Sequence, residues 1–243
     1  MPTTKTKPIL LKPAWKLPLN IKAVISTRSN QFNLATHVND DPDNVIANRQ
    51  LLRNYLPNEP FWLQQTHSDR VVKADFSQTT PDADASYTTQ KGVVCAVMTA
   101  DCLPILLTNI SGDFVAAIHA GWRGLNDDII VKTIRKLSKF KPKEMLAFIG
   151  PAIDQECFEI GAEVRKSFLL NDINTAQFFN LSKNEGKYMA NLRGIAEYKL
   201  LQAGLLLQNI TNPAICTKCN HNWFFSYREN SNTGRMASLI WKE

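Results

Sequence analysis

The chain has 243 residues, 28 Lys and Arg against 22 Asp and Glu, a net charge of +6, 44% hydrophobic and 21% charged residues. This suits one packed domain that needs no disulfide staples, and excludes a disordered, collagenous or coiled-coil chain. No run approaches 18 apolar residues and no Lys/Arg block is interleaved with aromatics, so neither membrane nor nucleic acid is expected as a partner, while a small anionic substrate fits the mild basic excess.

Residues 1–20 read as a partly ordered N-terminal extension. They are basic and broken by Pro, with no apolar stretch of signal-peptide length, which points to a cytoplasmic protein whose five Cys stay free. Residues 21–243 read as a single catalytic domain, since no linker, repeat or low-complexity tract interrupts them. Val93–Met98 and Leu103–Leu107 are continuous apolar runs that read as buried strands, with Pro104 near a strand start, where a missing N–H is tolerated. Between them lies the polar break Thr99-Ala100-Asp101-Cys102. Phe114–His119 reads as a third strand, ended by Gly121-Trp122-Arg123-Gly124. Ile129, Ile130, Ile134 and Leu137 share one helical face. Leu146–Ile149 reads as a short strand and Gly161–Leu170 as a helix. Asn191 caps a helix with Leu192, Ile195, Ala196 and Leu200 inward and Gly204 at its end. Trp223–Tyr227 and Met236–Trp241 read as a terminal hairpin. Strands and helices mix without a βαβ rhythm, so the fold class is α+β.

Only four His occur, at 37, 67, 119 and 221. His67, Cys102 and His119 sit at the ends of apolar segments, where sites assemble on a rigid scaffold. Two imidazoles and a thiolate would suit Zn²⁺ with one position left for water or substrate. A buried Cys beside two hydrogen-bonded His is the alternative, because the spacing is not diagnostic. Cys216-Thr217-Lys218-Cys219-Asn220-His221 has half the spacing of a zinc finger. A structural site needs four ligands and no second Cys/His pair follows nearby, so neither metal nor a 216–219 disulfide is expected there.

Several motifs in order carry a resemblance: Gln65-Thr66-His67, Asp82-Ala83-Asp84-Ala85, Thr99-Ala100-Asp101-Cys102-Leu103-Pro104, His119-Ala120-Gly121-Trp122-Arg123-Gly124, Cys216-Thr217, Phe224-Phe225-Ser226-Tyr227-Arg228 and Thr233-Gly234-Arg235. So do Asn33-Leu34, His37-Val38, Asn48-Arg49 and Gly150-Pro151. The chain resembles the polyphenol oxidase (YfiH-like) family, also called peptidoglycan editing factor, from about Ile21 onward. The resemblance implies a single α+β domain with mixed β-sheets in an α/β/β/α layered arrangement, and Zn²⁺ bound by His67, Cys102 and His119. It implies phosphorolysis of adenosine, inosine, guanosine and methylthioadenosine and deamination of adenosine, with purine nucleoside and phosphate as the small-molecule partners. Two further readings attach to it: a Cys–His hydrolase that removes misincorporated L-serine from a peptidoglycan precursor, and a binding-only member.

The family's older label is copper laccase, but four His cannot furnish both a blue site and a trinuclear centre. Asp101, Cys102 and His119 are the candidate catalytic residues, Asp101 as proton shuttle or as a support of the ligands. Arg28, Arg49, Arg123 and Arg235 lie in matching motifs and are candidates for phosphate, with two of the four expected in the site and Arg49 first. Phe225 could stack on purine or fill the core. Two departures from the family pattern stand out. Arg28-Ser29-Asn30-Gln31-Phe32-Asn33 is shorter and lacks the usual glycines, and Asn191-Leu192 replaces Asp-Leu. A monomer or weak homo-oligomer is expected.

Overall fold

The computed structural model describes residues 7–77 and 79–243. Two sheets face each other. One runs in the order Leu10–Leu11, Ile21–Ser26, Met236–Lys242, Val94–Thr99, Pro60–Phe61. The other runs Ile210–Thr211, Met145–Ile149, Leu103–Asn109, Val115–Ala120, Ala85–Thr88, Val71–Lys73. Most pairings are antiparallel, but each sheet contains parallel pairs, such as Pro60–Phe61 with Val94–Thr99 and Val71–Lys73 with Ala85–Thr88.

The two-residue period of the strands explains the layers. Cys95 and Val97 point between the sheets with Leu106, Val115 and Ala117. Val94, Ala96 and Met98 point outward against Leu52 of the helix Pro42–Arg53. On the other side, Leu103, Ile105, Leu107, Ala116 and Ile118 pack against the helices Ile129–Lys136, Ala162–Asn171 and Leu192–Gln202. Central strands therefore bury both faces, which is why they read as unbroken apolar runs. The result is the α/β/β/α arrangement, α+β in class. Asn191 caps the last helix by accepting the Gly194 N–H at 2.8 Å. A third, small sheet orders Glu159–Gly161, Lys187–Ala190 and Phe179–Leu181.

One expectation is corrected. The terminal hairpin does not form. Met236–Lys242 lies instead between Ile21–Ser26 and Val94–Thr99, distant strands that pair along both of its edges. Trp223–Tyr227 is turn, with the Trp223 and Phe224 N–H groups closing onto Asn220 O, and its two Phe fill a small core with Ala100 and Met236. The N-terminal stretch packs on the domain over its described part. Leu10–Leu11 pairs with Ile21–Ser26, and Trp15 is buried 5.8 Å from Phe148. Residues 1–6 lie outside the described residues. No described helix is long and apolar enough to cross a membrane.

Candidate metal centre and cavity

His67, Cys102 and His119 converge at one end of the sandwich, their ligating atoms all within 4.8 Å of one another. Strand geometry makes this meeting. His119 is the penultimate residue of Val115–Ala120 and pairs with Pro104, so Cys102, just before Leu103–Asn109, falls beside it. Cys102 Sγ lies 3.8 Å from His67 Nε2, and the two imidazoles meet edge to face at 4.8 Å between centroids.

Asp84 builds the site from below. It is fully buried, and one oxygen accepts the His119 Nδ1–H at 2.7 Å and the His67 N–H at 3.0 Å. The other accepts from Thr66 N–H at 3.2 Å, Ser68 N–H at 2.7 Å and Ser68 Oγ–H at 2.7 Å. One carboxylate thus fixes the His119 tautomer, leaving Nε2 for a metal, and holds His67 at φ 60° in the left-handed region. Burial alone would raise the Asp84 pKa, but the bond and charge of His119 and the Ser68 bonds bring it to about 2. Burial likewise pushes the Cys102 thiol up, and the His119 bond and charge followed by those of His67 overcome it, to about 6. His119 moves the other way, up to about 9, because Asp84 and Cys102 outweigh its desolvation. Each shift favours the charged form of its group, thiolate for Cys102 and imidazolium for His119.

Gly121 completes the cradle. A Cβ there would stand 2.7 Å from His67 Cδ2 and 3.2 Å from Cys102 Sγ, so the ligands need the space that only glycine leaves. Two imidazoles and a ready thiolate, oriented by a carboxylate and facing one point, suit a metal ion with an open position.

The triad lies in the wall of a cavity of about 410 Å³, within the roughly 300–1,000 Å³ usual for small-molecule sites. Arg123, Arg228 and Arg235 line it, and each guanidinium lies over an aromatic ring of the same cavity: Trp122 at 4.3 Å, Phe158 at 5.0 Å and Tyr227 at 5.8 Å. Among the described residues none of the three forms a salt bridge. His37 also lines the cavity. Its pKa is lowered by burial, then by the charges of Arg235 and Arg49.

Of the arginines singled out in the sequence, Arg123 and Arg235 therefore reach the cavity, and Arg28 and Arg49 do not. Arg28 donates to His221 O at 2.6 Å and lies over Phe225. Arg49 donates Nε–H to Leu34 O at 2.9 Å and stacks 4.3 Å over Trp62, a half-buried structural role. Phe225 is core. Asp101 borders the cavity at φ 89°, but both oxygens are taken, one by Thr217 Oγ–H at 2.6 Å and the other by Arg228 N–H at 2.7 Å. That geometry is of a residue tying two loops to the cavity wall, with one accepted bond on each oxygen. Asp84, His37 and Arg228 all stand in motifs visible in the sequence, yet nothing there assigned them a role.

A family profile described as multi-copper polyphenol oxidoreductase laccase matches residues 21–243. The chain belongs to this family. A Haemophilus influenzae relative named purine nucleoside phosphorylase is 42% identical, the alignment covering 96% of this chain and 99% of that one. The Escherichia coli purine nucleoside phosphorylase YfiH is 40% identical over 96% of this chain and 98% of its own. Among solved structures, a Neisseria meningitidis protein superposes with a TM-score of 0.91 at 40% identity, covering 96% of this chain and 99% of that one. YlmD from Geobacillus stearothermophilus does so at 0.81 and 26% identity, with 93% of each chain covered. As a member of the polyphenol oxidase family, the chain shares its mixed α+β single-domain fold.

Proposed function

We propose that this chain is a zinc-dependent purine nucleoside phosphorylase acting on adenosine, inosine, guanosine and methylthioadenosine, with adenosine deamination as a side reaction at the same site. The carrying observation is the joining of a metal-ready triad to a cavity with three arginines that form no salt bridge among the described residues. The relatives' names give the reading its substrate class.

Phosphorolysis breaks the bond between C1′ and the purine nitrogen, forms a bond from C1′ to a phosphate oxygen, and transfers one proton to the purine. Arg123, Arg228 and Arg235 supply forks that bind a phosphate dianion bidentately, and their aromatic partners hold each fork flat. Trp122, Phe158 and Tyr227 in turn offer apolar walls to the planar base. His67, Cys102 and His119 would hold the ion. An ion held there would supply Lewis acidity and, as zinc does, make a water acidic enough to attack near neutral pH, the chemistry that deamination needs. Asp84 keeps the His119 ring oriented, Asp101 positions the Thr217 and Arg228 loops, and His37 offers a proton-handling group to the cavity.

A multicopper oxidase reading lacks ligands. Of the four His, His221 lies outside the cavity lining beside Lys218 O, and the remaining three cannot serve a blue and a trinuclear centre together. A thiol whose pKa is lowered beside an imidazole is what a Cys–His hydrolase needs, so metal content separates editing of a peptidoglycan precursor from nucleoside cleavage. The test is product analysis of adenosine turnover with and without phosphate. Adenine and ribose 1-phosphate that appear only with phosphate support phosphorolysis. Adenine formed regardless of phosphate indicates a hydrolase, and no turnover of any nucleoside by zinc-loaded protein favours the precursor-editing or binding-only readings.

A further inference from the structure

Cys216-Thr217-Lys218-Cys219 has no second Cys/His pair nearby in the chain, but the fold brings a third sulfur to it, so three of four positions would be filled by the protein. Cys157, 62 residues before Cys219, ends the short turn Gln155–Cys157 with its Sγ 3.4 Å from Cys219 Sγ. All three sulfurs of Cys157, Cys216 and Cys219 lie within 4.8 Å of one another. Three thiolates at Zn–S bonds of about 2.3 Å and tetrahedral angles stand about 3.8 Å apart, so an ion fits with side-chain adjustment alone.

The surroundings are built rather than incidental. The Cys219 N–H donates to Cys216 Sγ at 3.4 Å. Ala152 forms a bridge with Cys216, closed by Ala152 N–H to Ile215 O at 3.1 Å and Thr217 N–H to Ala152 O at 3.0 Å. Buried Arg193 pins the same corner, donating to Asp154 at 2.8 Å, Gly150 O at 3.0 Å and Ala152 O at 2.9 Å. The sulfurs therefore project from a fixed frame, and such a soft donor set selects thiophilic ions such as Zn²⁺.

We propose that Cys157, Cys216 and Cys219 form a second, three-thiolate zinc site, distinct from the His67/Cys102/His119 centre, that staples one wall of the cavity. The wall consists of the two segments that the ion would join. Phe158 follows Cys157 and lines the cavity, while Thr217 follows Cys216 and holds Asp101. Arg228 reaches back to Cys157 O at 3.4 Å and Glu159 O at 3.1 Å. A fourth position is left for water or an external thiol. This site stands whether or not the nucleoside reading does.

The test counts zinc in the full chain, stripped with chelator, reduced and reloaded. Two ions per chain are expected in wild type, one in Cys102→Ala, and none tightly held in Cys102→Ala combined with either Cys157→Ala or Cys219→Ala. In wild type, added Zn²⁺ should protect Cys157, Cys216 and Cys219 from alkylation, read by mass spectrometry, a measurement that needs no variant to fold. A single ion in wild type that disappears in Cys102→Ala overturns the proposal. So does unchanged alkylation of these three thiols with zinc, or a Cys157–Cys219 disulfide that, once reduced, takes up no metal.

Discussion

Replacing Asp84 with Asn exchanges one atom and should cost the protein both stability and metal. The carboxylate accepts five hydrogen bonds, two at one oxygen and three at the other. An amide turns one of those oxygens into a donor, so two or three buried donors would face an N–H₂ group. The lowered pKa gives a first magnitude. A fall from 3.8 to about 2 corresponds to about 2 kcal/mol of stabilisation at pH 7. Leaving donors unpaired adds to that, and breaking a buried charged network typically costs about 3–5 kcal/mol. For a domain of this size the loss lowers Tm by about 6–20 °C. The folded pKa lies below the unfolded one, so the contribution is full above about pH 4 and fades as pH falls through about 2. Urea unfolding followed by tryptophan fluorescence should show a lower midpoint for Asp84→Asn at pH 7, and a smaller loss than wild type on acidification. Because His119 and His67 lose their common anchor, zinc affinity should fall about 10- to 100-fold. A variant that keeps both the wild-type midpoint and the wild-type zinc affinity would refute the reading of Asp84 as the anchor.

Other perturbations probe the rest of the site. In metal-free protein the Cys102 alkylation rate should rise with pH through a midpoint near 6, His119→Asn should move that midpoint upward, and Cys95, buried and pushed up to about 12, should stay unreactive; a Cys102 midpoint at the ordinary value of about 8.5 contradicts the lowered thiol pKa. Gly121→Ala should weaken zinc binding about 10- to 100-fold while leaving the far-ultraviolet circular dichroism unchanged, since its Cβ collides with His67 and Cys102 and with nothing structural; unchanged affinity would mean that the ligands yield freely. Arg235→Ala should cut kcat/KM for phosphate about 10- to 100-fold, the worth of a charge-assisted contact, whereas Arg49→Ala should leave the phosphate dependence intact and lower Tm instead. The reverse ranking would restore Arg49 to the phosphate site.

The parts of this protein that could be read from its sequence are those set by local pattern. Unbroken apolar runs located the central strands, and the 3.6-residue spacing of Ile130 and Ile134 located a helix. His67, Cys102 and His119 could be singled out because few His exist and because strand ends are where polar groups collect, and their meeting is what the structure adds. What failed depended on distant pairing. Met236–Lys242 reads equally well as half of a hairpin or as a central strand, and only the partners Ile25 and Val97, far off in the chain, decide. Arg49 and Arg235 are alike as residue types, but Trp62 and Leu34 O claim one and the cavity receives the other. Cys157 is a lone cysteine in the sequence and becomes a neighbour of Cys219 only through the bridge between Ala152 and Cys216.

The most direct test of the metal-dependent phosphorylase reading is a reconstitution. Chelator-stripped wild type and His119→Ala are each given Zn²⁺ or Cu²⁺, then adenosine, with phosphate present or absent, and the products are separated. We expect adenine and ribose 1-phosphate from zinc-loaded wild type only when phosphate is present, inosine as the minor product with or without it, and neither from His119→Ala. Equal turnover by wild type and His119→Ala, or adenine release that ignores phosphate, would contradict it.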